Sequence, residues 1–197
     1  MKSFSILFVC LLAVAMGAGK IQADQVEFFV TGAQGDGLLP GNISPATTST
    51  GSGAIGSTGI IFDTDTNILS VDVEWGSENG FSDLTGEVTL LHWHGPTPSL
   101  PPNNFGEVNT DILINFGNSL NFDPSGSGGG LIDTFFLSND QEEYLLSGRT
   151  YINVHSENYP AGEIRGYLLP TTFSVPEPGT TGVLVGIALT SLVRRRR

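Results

Sequence analysis

Three imidazoles occur in the chain, and two of them, His92 and His94, stand two positions apart; the third is His155. On a strand, residues i and i+2 project from the same face, so the first pair can chelate one metal ion. If the strand ending at His155 lies beside it, three nitrogens converge and leave one coordination position open, a donor set suited to Zn or Cu. The competing reading is structural: imidazoles at a strand end satisfying buried backbone or carboxylate groups.

Glu163 and Arg165 also share a strand face. Arg165 and Arg149 are the only cations between residues 24 and 174, set against 19 acidic residues, a net charge of −17. Arg165 is therefore expected to hold a bidentate carboxylate pair that fixes the last strand, with Glu163 and Gly166 as structural neighbours; its loss should cost about 2 kcal/mol or more if the pair is buried. Asp63, Asp65, Asn67 and Glu74 occupy positions 1, 3, 5 and 12 of a calcium loop. Ile68 replaces the glycine that loop requires, so a β-turn with at most weak Ca²⁺ affinity is expected. There is no Gly-x-Ser-x-Gly elbow and no phosphate-cradling loop. Glu142 and Glu143 are adjacent and would point apart, so they make no glycosidase pair. No catalytic residue is assigned and no cofactor is expected beyond such a metal. Trp75, Trp93 and Tyr159, if exposed, could stack on sugar rings.

Short runs of period-two or β-branched and aromatic character carry these residues: 26–31, 54–62, 68–75, 87–94, 111–116, 131–137, 149–155 and 163–169. Eight such runs predict an all-β fold, a single antiparallel β-sandwich of about eight strands, Greek-key-like. The stretch 139–146 predicts a helical turn or two behind an Asn or Asp cap. Turns are expected at 63–67 and at 158–162, and the Gly- and Ser-rich stretches 41–53 and 123–130 read as mobile surface loops.

Both ends are of different character. Residues 4–15 are apolar apart from Ser5, follow Lys2 and precede small residues. This is the layout of a secretory signal, 1–23, cut after Ala23 or alternatively near Ala18. The single cysteine, Cys10, leaves with it, so the mature protein has no thiol for disulfides, metal or nucleophilic catalysis. A folded region, 24–170, would follow, then a linker, 171–179, a short apolar transmembrane helix, 180–193, and four arginines, 194–197. At 1.5 Å per residue that helix covers about 21 Å, less than the roughly 30 Å hydrocarbon layer. The arginines would hold the C-terminus on the cytoplasmic side and the folded region outside. An acidic surface of this strength repels nucleic acid, which is not expected as a partner.

Val175-Pro176-Glu177-Pro178-Gly179, the apolar stretch behind it and the terminal arginines resemble the PEP-CTERM sorting signal of Gram-negative bacteria. That resemblance implies cleavage by an exosortase-type protease. The expected partners are then the Sec export machinery, signal peptidase, that protease and, transiently, the inner membrane. A second resemblance rests on Phe28-Phe29-Val30-Thr31-Gly32, on His92-Trp93-His94-Gly95-Pro96, and on Gly148 to Ser156 with Pro160 to Gly166. These look like the CHRD domain, where an H-I-H-G-P element is usual. The Trp at position 93 departs from it and suggests a deep pocket or an exposed edge on the opposite face. The family implies a β-sandwich binding or structural module with no established reaction. The expectation is an exported surface or matrix module, not an enzyme, contacting exopolysaccharide or surface proteins. The alternative is a metal-binding protein or metal-dependent oxidoreductase using His92, His94 and His155.

Overall fold

The computed structural model describes residues 25–98 and 109–171. The signal, the sorting motif, the expected transmembrane helix and the arginines lie outside them. Among the described residues no helix is long and apolar enough to cross a membrane.

Nine strands form: β1 (Gln25–Thr31), β2 (Gly53–Asp63), β3 (Ile68–Trp75), β4 (Val88–His94), β5 (Ile112–Asn115), β6 (Phe122–Asp123), β7 (Gly130–Phe136), β8 (Thr150–Ser156) and β9 (Tyr159–Pro170). Eight coincide with the runs read from the sequence; β6, only two residues long, carries no pattern to read. All pairings are antiparallel, in the order β5-β4-β8-β9-β1-β2-β3-β7-β6.

The expected two-sheet sandwich is thus corrected to one continuous sheet that curls on itself as a half-barrel. Aromatic packing across the interior shows the curl. Phe116, between β5 and β6, stacks on Trp93 of β4 with centroids 6.4 Å apart and planes at 2°. The same ring lies 4.5 Å from Phe135 of β7, near the other end of the strand order. The strands twist because L-residues favour it, and rolling the twisted sheet buries one apolar face without a second sheet. Leu69, Val71, Val73, Leu91, Ile152, Val154, Ile164 and Leu168 line that interior. Trp93 belongs to it and is fully buried, so it marks neither a pocket nor an exposed edge.

The helix α1 (Asn139–Leu146) forms where expected, but its cap is Ser138. Ser138 Oγ accepts from the Gln141 N–H while Gln141 Oε1 accepts from the Ser138 N–H, a reciprocal capping box. Gln141 Nε2 also donates to Leu113 O at 3.0 Å, tying the helix to β5.

The β2–β3 turn forms as expected. Asp63 Oδ1 accepts from the N–H groups of Asp65 and Thr66 at 3.1 and 2.9 Å, and Asn67 takes a left-handed φ of 57°. The turn before β9 is tighter than read: Ser156 pairs with Tyr159, leaving Glu157 and Asn158 as the two turn residues and placing Pro160 inside the strand.

The two loops expected to be mobile are pinned. The Trp75 indole N–H donates to Ser125 O at 2.7 Å and the Trp75 backbone N–H to Gly129 O at 3.1 Å, which fastens 123–130 to β3. In 41–53, the buried Asn42 donates to Arg165 O at 3.0 Å. Leu39 exchanges two backbone hydrogen bonds with Arg165, extending the sheet beyond β1. At the other end of β1, the Thr171 N–H donates to Glu27 O at 2.8 Å.

Candidate metal centre

Pairing sets the site. His92 lies opposite Asn153, His94 opposite Tyr151, Asn153 opposite Arg165 and Tyr151 opposite Tyr167. Alternation along each strand then gathers His92, His94, Tyr151, Asn153, Arg165 and Tyr167 on the face turned away from the apolar interior. His155, two residues beyond Asn153, joins them. All are buried. Every residue of β8 is in fact buried, one face by apolar packing and the other in this polar layer.

The three imidazoles come together as the sequence suggested. One candidate ligand atom from each lies within 4.8 Å of the others, and among the described residues this is the grouping of metal-ligating side chains that could hold an ion. His92 packs edge-on to His155 at 4.8 Å and to His94 at 5.4 Å between centroids. Around Zn²⁺ at about 2.0 Å, tetrahedral nitrogens stand roughly 3.3 Å apart. The rings therefore need to draw in by about 1.5 Å at the widest pair, within reach of small side-chain rotations.

Hydrogen bonds fix which nitrogen two of the rings offer. The His94 Nδ1–H donates to Thr110 O at 2.8 Å and the His155 Nδ1–H to Pro160 O at 3.0 Å. A carbonyl only accepts, so both Nδ1 atoms carry the proton and both Nε2 atoms keep a lone pair. A backbone carbonyl behind the ring is the usual outer partner of a metal-ligating histidine. His94 Nε2 and His92 Nδ1 are buried and have no hydrogen-bond partner. Thr110 also positions the neighbouring ring: its N–H donates to the Tyr151 hydroxyl at 3.0 Å, and Tyr151 stacks on His94 at 4.9 Å and 7°.

Burial holds all three rings neutral. It lowers the His92 pKa, and it pushes His94 down to about 4, with the Thr110 bond opposing and the charges of His92, Arg165 and His155 adding to the fall. His155 is lowered by burial, with its Pro160 bond opposing. Neutral imidazole is the form a metal binds.

Of the other residues singled out from the sequence, Arg165 and Glu163 are both buried in this polar layer. Arg165 lies 4.1 Å over the Tyr151 ring and its Nη2 donates to Asn109 Oδ1 at 2.6 Å. The buried Glu163 carboxylate accepts from Ser49 Oγ, from the Thr85 N–H and Oγ1 at 2.8 and 2.9 Å, and from Ser156 Oγ, gathering two loops onto the end of β9. Gly166 leaves room for its neighbours, since a Cβ there would strike Val30 Cγ1 and Gly37 O. The calcium-like set stays dispersed: Asp63 Oδ1 is spent on its own turn, and Glu74 sits near the far end of β3, about 20 Å along the strand. Trp75 and Trp93 are fully buried and offer no platform for a sugar. Missed from the sequence were Asn153, Tyr151 and the carbonyls of Thr110 and Pro160. Asn153 alone left a trace, as the residue two before His155.

A curled antiparallel domain with a buried polar layer around three imidazoles is the class these features define. Its sequence matches the CHRD domain over residues 37–168, and the chain belongs to that family, an extracellular-type domain of unclear function. The matched span leaves out β1, although β1 pairs with both β9 and β2. No curated protein and no solved structure matches the chain.

Proposed function

We propose that this CHRD domain is an exported surface module that retains one transition-metal ion, Zn²⁺ or Cu²⁺, on His92, His94 and His155. The observation that carries the reading is the convergence of three neutral, buried imidazoles, two of them held from behind by backbone carbonyls. Three nitrogens suit these borderline ions better than Ca²⁺ or Mg²⁺, which prefer oxygen. Rings only 5 to 8% exposed favour holding a metal over turning a substrate over at it, so a binding role is preferred to the oxidoreductase. Delivery by an exosortase-type protease, after a transient inner-membrane stage, has its support in the sequence of 171–197. Contact with exopolysaccharide or surface proteins rests on that route, because both tryptophans are interior.

Calorimetric titration of the domain with Zn²⁺ and Cu²⁺ tests the metal. Saturable heat at one equivalent is expected, together with a melting temperature that rises by the equivalent of about 2.7 kcal/mol at 100 times Kd. Both should vanish in the His92→Ala, His94→Ala variant. Heat indistinguishable between wild type and variant ends the reading.

A further inference from the structure

One of the three candidate ligand nitrogens is occupied by a hydrogen bond from within the protein. Asn153 Nδ2 stands 3.1 Å from His155 Nε2. The His155 proton is committed to Pro160 O on the other nitrogen, so Nε2 is the acceptor and the amide N–H the donor. The orientation of the amide has a second anchor, because Nδ2 also faces Ala161 O at 3.4 Å, and a carbonyl accepts only from the NH₂ end. Gly162 backs the group: with φ at 121° and no side chain, it lets the amide lie against the backbone, where a Cβ would come within 2.7 Å of Nδ2. Asn153 Oδ1 is buried without a partner, so the amide is held by its donor end alone.

We propose that Asn153 is a positioning residue that caps the metal centre, setting an affinity threshold by occupying the His155 nitrogen a metal needs. This rests on the metal-binding reading above. An incoming ion must break the Asn153–His155 bond before it gains its third imidazole. The cost is the same for every ion, so all affinities fall by one factor and only ions with a strong preference for imidazole, Cu²⁺ and Zn²⁺ ahead of Co²⁺ or Mn²⁺, fill the site at low concentration.

The cap is tested by Zn²⁺ titration of wild type and Asn153→Ala. The variant should bind about fivefold to tenfold more tightly, the equilibrium factor for one neutral hydrogen bond. Loss of a merely structural residue would leave affinity unchanged or weaken it, and either result overturns the cap. Binding by the variant alone supports it. Binding by neither overturns both the cap and the metal reading, whereas equal binding by both overturns the cap and leaves the metal standing. If Asn153→Ala does not fold, nitrogen-resolved NMR of wild type decides. The Asn153 side-chain amide and the His155 ring nitrogens should shift together on Zn²⁺ addition, and an unmoved amide overturns the proposal.

Discussion

Strand β8 and the stretches of β4 and β9 beside it, 91–94 and 162–168, bury both of their faces, and the two burials are opposite in kind. Toward the interior, Leu91, Trp93, Ile152, Val154, Ile164 and Leu168 pack as an apolar layer. On the reverse, His92, His94, Tyr151, Asn153, His155 and Arg165 are buried as well. Apolar burial stabilises in proportion to area, whereas polar burial stabilises only where each donor and acceptor finds a partner. The reverse face leaves His92 Nδ1, His94 Nε2, Asn153 Oδ1 and Thr110 Oγ1 without one, clustered about the imidazoles, whereas on the interior side Trp93 Nε1 and Thr150 Oγ1 are unpartnered within an otherwise apolar layer. The apolar face is where the fold gains its stability; the reverse face gives some of it up around a single point, as a binding centre requires.

The largest effect should come from the apolar side. Trp93→Ala removes the indole that stacks on Phe116 and joins β4 to the interior, and should cost about 4 kcal/mol in chemical denaturation. A cost below about 1 kcal/mol would break the contrast. Next comes Glu163→Ala in the polar layer, where the hydroxyls of Ser49, Thr85 and Ser156 lose their shared acceptor. A loss of about 3 kcal/mol is expected, and an unchanged melting temperature would mean that water replaces the carboxylate.

The smallest effect is in pH. In chelator-treated protein the native His94 titrates near 4 against 6.5 when unfolded, so the unfolded chain binds more protons between those values. Stability is therefore complete above pH 6.5 and falls as the pH drops toward 4, by about 1 kcal/mol over the first unit below 6.5. A His94→Asn variant should make that slope shallower, leaving the part that His92 and His155, also lowered by burial, contribute. A slope left unchanged by this substitution would assign the acid sensitivity to other groups.

Alternation made eight of the strands readable, because half-buried and interior strands both leave apolar runs between turn residues. How the sheet closes was not readable. Local period says which side of a strand is apolar, but the curl depends on Phe116 meeting Trp93 and Phe135, residues far apart in the chain. Composition misled at 123–130, where glycines signalled mobility; the Trp75 indole that fastens the loop lies 50 residues away. His92 and His94 were legible from their spacing, and His155 followed only if β8 lay beside β4. The carbonyls that orient the rings carry no sequence signal, and Asn153 was overlooked because an amide is a poor guide to metal chemistry.

The bond from Thr171 to Glu27 places the first and last described strands antiparallel, with the start of β1 beside the end of β9. The polypeptide thus enters and leaves the domain at one corner. A tether on either end would suspend the body from the same point, so exchanging one attachment for the other needs no reorientation. Tension between the two ends would load the β1–β9 hydrogen bonds one after another, like a zipper, rather than all at once.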